Sequence, residues 1–219
     1  MKQLLLVLCC FASQLSAQQL ELSAGANLNQ FFRLPGGEVP GSAFKNGYGY
    51  TFGISQELAG KIPMRFTLQL DHYEGNIHLR EGGLGGAVIT RADISRSSVM
   101  LGVFPLNFTL LKRLHINLGL AMQALIYDGS KGYRSYWGFG ASGEDIRFED
   151  HPAAFAQPIS FGLISRLGYS IPLGNKWSLV PQYMFGMGIS DEFKQLHANV
   201  KSLRHYLCIG VSRQINTAK

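Results

Sequence analysis

Chemistry at an ester from the face of a β-strand needs a serine, a histidine to take its proton, and an acid to hold that histidine. The economical spacing is His-x-Ser, because residues two apart on a strand share a face. The nearest segments are Leu114-His115-Ile116-Asn117 and His197-Ala198-Asn199, and both carry Asn where the nucleophile is needed. His72, His78 and His151 have no serine two positions on. No catalytic residue is expected on this ground. His72 and His78 lie near Asp71 and Glu74, but without a recognised metal-ligand spacing, so no metal site is expected. Gly82-Gly83-Leu84-Gly85-Gly86 is followed by neither Lys-Ser/Thr nor a helical pattern. It reads as a surface loop rather than a phosphate cradle, and no cofactor is implied.

The sharper constellation is electrostatic. Glu21, Arg65, Asp71, Arg166 and Arg204 all fall on the small, polar phase of strongly alternating segments. If that phase faces a lumen, the charges are removed from water and must pair. Glu21, Arg65 and Arg166 are expected in one half of such a lumen, and Asp71 and Arg204 nearer its other end. The bland role is a plug that holds a narrow barrel together; the functional alternative is a gated, narrow solute channel.

The elements that must position these charges are strands, because the dominant period is two. Alternation runs through 20–28, 48–55, 64–71, 98–103, 114–126, 159–171, 177–189 and 203–215. In the first, Leu20, Leu22, Ala24, Ala26 and Leu28 alternate with Glu21, Ser23, Gly25 and Asn27. The connections alternate in length. Arg33–Asn46, Glu74–Ala92, Asp128–Gln157 and Asp191–Val200 read as long loops, while 57–61, 105–113 and 172–175 read as turns. Short turns at one end and long loops at the other predict an all-β fold, an eight-stranded antiparallel up-and-down transmembrane β-barrel. Pro181 falls inside the seventh segment, where a bulge is expected to absorb its missing N–H.

Composition supports a chain whose surface does not all meet water. Charged residues are 16% of the sequence, against roughly 25% in soluble domains. Glycine supplies 26 of 219 residues, above the usual share of about 7%. The apolar phase is bulky and poor in charge, and would overfill an eight-stranded lumen, so it is expected outside. That disfavours a soluble periplasmic lipocalin-like barrel. The basic residues are scattered, and nucleic acid is not an expected partner.

Residues 1–17 read as a signal peptide: Lys2, an apolar stretch from Leu4 to Ala12, and small Ser16-Ala17. The barrel domain is expected over 18–219. Loss of Lys2 takes the formal charge from +6 to +5. Cys9 and Cys10 lack the small residue that precedes a lipidated cysteine, and Cys208 is then the one mature cysteine.

Four features carry a resemblance: Gln18-Gln19 after the cut, the opening Leu22-Ser23-Ala24-Gly25-Ala26-Asn27, the Tyr169–Leu173 strand end and the closing Gly210-Val211-Ser212-Arg213. With them the chain resembles the small outer-membrane β-barrel proteins of Bacteroidetes, the PorT-like group. The resemblance implies an outer-membrane location, contact with outer-membrane lipid and in some members a link to secretion. It implies no catalytic residue. The expected role is structural or interactive, with outer loops contacting envelope partners or ligands. Tyr133, Tyr136, Trp137, Phe139 and Phe148 in the longest loop are the candidate contact residues. A lipid A-modifying enzyme is the rival class.

Overall fold

A computed structural model describes residues 17–33, 43–58, 63–83, 86–138, 141–142, 146–147, 157–193 and 200–215. The strands are β1 (Ala17–Arg33), β2 (Ala43–Leu58), β3 (Met64–Gly83), β4 (Gly86–Leu110), β5 (Leu114–Asp128) and β6 (Lys131–Gly138). They continue as β7 (Ala141–Ser142), β8 (Ile146–Arg147), β9 (Ile159–Tyr169), β10 (Ile171–Gly174), β11 (Trp177–Gly188) and β12 (Val200–Gln214). Eight of them close a ring in the order β1, β2, β3, β4, β5, β9, β11, β12, with every neighbour antiparallel. The seam is the β1–β12 ladder, which runs unbroken from Gln19 opposite Gln214 to Arg33 opposite Val200. The chain is therefore an all-β, closed, eight-stranded up-and-down barrel.

The wall is inverted relative to a water-soluble barrel. Leu22, Phe52, Leu120, Leu207 and Ile209 are each more than half exposed, while Glu21, Arg65 and Arg166 are at most 2% exposed. Apolar-out and polar-in is the phase the alternation predicts.

Two expected loops are not loops. β3 and β4 stay paired from Arg65 opposite Phe104 up to Gly83 opposite Gly86, so Glu74–Ala92 is the upper part of a long hairpin. In the segment Asp128–Gln157, β6 pairs with the upper half of β4, Asp93 opposite Lys131 through Gly86 opposite Gly138. The reason is a phase reversal. Above the barrel proper, Tyr73, Ile77, Ala92 and Ile94 turn inward and are buried, whereas Glu74, Arg91 and Asp93 face out. A strand read by apolar-out alternation ends where its polarity inverts, although its backbone runs on.

Pro181 is not accommodated by a bulge. The β11–β12 ladder passes it in register, opposite Ile209. On the other side, β9 stops at Tyr169 and β10 begins at Ile171, and both pair with β11 in the same register as far as Pro172 opposite Ser178, the slip coming only beyond it, before Gly174. The missing donor therefore falls beside a gap in the ladder, and the Ser170 N–H turns to Arg113 O at 2.9 Å. Bulges occur elsewhere: the β4–β5 register slips at Ser97/Ser98 and again between Val103 and Leu106, around Pro105.

Candidate functional site

The lumen carries its charges in two separate groups. Near the short-turn end, Arg166 Nη2 lies 2.8 Å from both carboxylate oxygens of Glu21. Arg65 donates to Glu21 at 3.1 Å, to Glu57 at 2.9 Å and to Gln19 at 3.2 Å. Arg166 also donates to Asn117 Oδ1 at 2.9 Å and, through Nε, to Gln182. Six strands, β1, β2, β3, β5, β9 and β11, thus meet through the Arg65 and Arg166 guanidinium groups and the Glu21 and Glu57 carboxylates. Their alternation puts these side chains on one side of the wall, and the small neighbours Gly168 and Gly210 leave them room. A Cβ on Gly210 would fall 3.1 Å from Glu21 Oε1, and one on Gly168 3.4 Å from Arg166 Cζ.

Asp71 and Arg204 do not complete that network. Asp71 is held by neutral donors: Thr51 Oγ1 at 2.5 Å, Gln69 Nε2 at 2.7 Å and the Tyr206 hydroxyl at 3.1 Å. Arg204 instead meets Glu192 at 2.8 Å, and Ser202 donates to the same Glu192 oxygen at 2.6 Å.

The long-loop end is closed by a cap. Phe193 enters the mouth and packs with Phe31, Tyr73, Ile77, Ala92, Ile94 and Val200. The Arg96 guanidinium carbon lies 4.7 Å from the centre of the Phe193 ring. Its Nε is 3.4 Å from Asp128. That ion pair depends on the bulge at Ser97/Ser98. The extra β5 residue leaves Ile126 and Tyr127 both facing out, and restores Asp128 to the inward phase opposite Arg96. A polar plug below and an apolar cap above leave no wide water path through the described residues.

Glu21, Arg65 and Arg166 are brought together as the alternation implies, and Asp71 and Arg204 lie toward the long-loop end. Glu57, Arg96, Asp128 and Glu192 complete the pairing and were not singled out from sequence. Asp128 ends β5 and Glu192 lies in the β11–β12 connection, where period two is no guide to facing. Tyr133 and Tyr136 lie on β6, three residues apart and so on opposite faces. Trp137 pairs through its backbone with Ala87. Phe139 and Phe148 lie outside the described residues.

Two hydrogen-bonded polar pairs described on the outer wall lie toward its long-loop end. The Tyr183 hydroxyl is 2.6 Å from His205 Nδ1. Ser97 Oγ is 3.0 Å from His72 Nδ1, and Glu74 Oε1 is 3.8 Å from His72 Nε2.

No protein-family model and no curated protein sequence matches the chain. Among solved structures it is similar to Neisserial surface protein A, at 16% identity and a TM-score of 0.45, over 90% of this chain and 97% of that one. It is also similar to Ail, the attachment invasion locus protein of Yersinia pestis, solved with the heparin analogue sucrose octasulfate. The values there are 12% identity and a TM-score of 0.38, over 89% of this chain and 97% of that one. A major outer membrane protein from Thermus thermophilus matches at 12% identity and a TM-score of 0.40, over 90% and 99%. These neighbours are bacterial outer-membrane proteins. The barrel assignment for this chain rests on its own closed ladder.

Proposed function

We propose that this chain is an exported outer-membrane β-barrel, of the PorT-like kind found in Bacteroidetes, that works by contact rather than conduction. The observation that carries this reading is the inversion of the wall. A continuous apolar band outside a closed, edge-free cylinder is costly in water and stable in a bilayer. On β5 the outward apolar set runs from Leu114 to Ile126. Twelve steps cover roughly 40 Å of strand, or about 30 Å of membrane normal at the usual tilt. Phe161, Phe185, Tyr48, Tyr50 and Tyr127 collect toward the long-loop end, and Tyr169 and Trp177 toward the short-turn end, in the manner of interfacial belts. The closed lumen leaves the projecting β3–β4–β6 sheet as the surface offered to envelope partners.

The test is fractionation of the mature chain followed by cross-linking in the native envelope. Outer-membrane recovery with heat-modifiable gel migration is expected. Removing β6 should leave that migration intact while a cross-linked partner is lost. Recovery as a detergent-free soluble monomer would reject the membrane reading, and a partner that stays bound without β6 would reject the contact surface.

A further inference from the structure

The Ser97, His72 and Glu74 side chains form a serine–histidine–carboxylate row on the lipid-facing side of the barrel. His72 and Ser97 are direct partners in the β3–β4 ladder, so the 3.0 Å Oγ–Nδ1 contact is fixed by register and not by a loop. Glu74 is two residues beyond His72 on the same face, 3.8 Å from its other ring nitrogen. With the proton on Nε2 facing Glu74, Nδ1 is left as an acceptor for the serine hydroxyl. The Tyr50 ring lies against the His72 ring, with centroids 5.0 Å apart and planes at 30°. Tyr48 and Tyr127 flank the row and are mostly exposed. The β4–β5 ladder also breaks at this serine, where the bulge leaves Ile126 without a cross-strand partner. Bulges gather beside active sites because they re-aim a side chain and release peptide groups from pairing.

We propose that Ser97 and His72 are the nucleophile and general base of an ester hydrolase acting on acyl chains of membrane lipid, with Glu74 positioning His72. This rests on the membrane location argued above and adds an activity to it. Ser97 Oγ attacks the ester carbonyl carbon while His72 Nδ1 takes the hydroxyl proton. The tetrahedral intermediate collapses with cleavage of the ester C–O bond, and His72 returns the proton to the departing lipid alcohol. Water then attacks the acyl-serine with His72 again accepting the proton, which releases a fatty acid and restores the serine. The row's place at the upper edge of the apolar band sets an ester at the depth where a lipid's acyl chains join its headgroup.

The test uses the full chain refolded in detergent micelles and an alkyl fluorophosphonate, which labels activated serines and needs no membrane. An adduct on Ser97, read by peptide mass spectrometry, is expected. Ser97→Ala should abolish it, His72→Ala should slow it about a thousand-fold, and Ser165→Ala, on the outer face of β9, should leave it unchanged. Glu74→Gln should lower kcat for a 4-nitrophenyl acyl ester while leaving KM unchanged, and Glu74→Asp should restore part of it. Vesicles of phosphatidylethanolamine and vesicles carrying lipopolysaccharide then separate the two sources of acyl ester by which releases fatty acid. No Ser97 adduct on folded, heat-modifiable protein overturns the proposal. Hydrolysis that survives Ser97→Ala does the same, and an adduct without release from either vesicle overturns the lipid substrate. Failure of outer-membrane fractionation would strike the location alone.

Discussion

Arg166 and Glu21 stand 145 residues apart in sequence, and one guanidinium nitrogen touches both oxygens of the one carboxylate at 2.8 Å. The pair ties β9 to β1 across the lumen, and Arg65 on β3 shares the same carboxylate. The arrangement is asymmetric. Among the described residues, Glu21 is the one carboxylate within ion-pair distance of Arg166, whereas Glu21 also has Arg65, and Arg65 also has Glu57. Removing Glu21 strands a buried cation; removing Arg166 does not strand an anion.

Glu21→Gln should therefore destabilise the barrel by about 3–5 kcal/mol, and Arg166→Met by clearly less. The double variant should recover part of the Glu21→Gln loss, because it removes the stranded charge. Urea unfolding of refolded protein in lipid vesicles checks this. Equal losses in the two single variants would show that Arg166 finds another anion.

Among the described residues the lumen is filled at two levels, by the Glu21–Arg65–Arg166 plug and by the Phe193 cap. Planar bilayers should accordingly show little or no conductance for the native chain. Phe193→Ala alone should remain closed, since the polar plug lies below it. Arg65→Ser with Arg166→Ser and Glu21→Ser should also remain closed while the cap holds. Only the combination of both changes should conduct, and steady channels from the native protein would make the charged group a pathway.

The β4–β5 turn contains a correctable strain. Leu111 and Lys112 both have positive φ, 51° and 60°, and Arg113 N bonds Leu110 O at 3.2 Å. Two consecutive left-handed residues suit Asn-Gly and penalise branched or long side chains. Leu111 is 90% exposed and gains nothing from packing in the isolated chain. Replacing Leu111-Lys112 with Asn-Gly should stabilise the barrel by about 1 kcal/mol and speed refolding. An unchanged midpoint would mean that Leu111 is anchored in lipid strongly enough to offset its backbone cost.

The eight barrel strands were legible because each keeps one phase across the apolar band, for six residues at 98–103 and for thirteen from Leu114 to Ile126. The grouping of Glu21, Arg65 and Arg166 followed from that phase alone. What was hidden lies where the phase changes. The upper β3–β4 hairpin buries Tyr73 and Ile77 while exposing Glu74, and so reads as loop. Asp128 reaches Arg96 only because Ile126 is inserted, and no single-strand pattern announces that slip. Ser97 and His72 were invisible for a different reason: His-x-Ser spacing tests one strand, and these two residues are neighbours across a ladder.

The sidedness of the wall gives the last prediction. Leu120 is 60% exposed at the middle of the β5 apolar run, and Ile189 is 53% exposed just beyond the end of β11 at the long-loop level. In water, replacing an exposed leucine or isoleucine with arginine changes stability by roughly half a kcal/mol or less. In a bilayer the cost depends on depth. Leu120→Arg should lose about 2–4 kcal/mol and Ile189→Arg about 0–1 kcal/mol when the barrel is folded into vesicles. The contrast arises because a guanidinium at mid-depth must drag water or headgroups inward, while one at the rim reaches them directly. Urea titration of the two variants in phosphatidylcholine vesicles measures it. Equal, near-zero effects would show that the apolar face does not meet hydrocarbon.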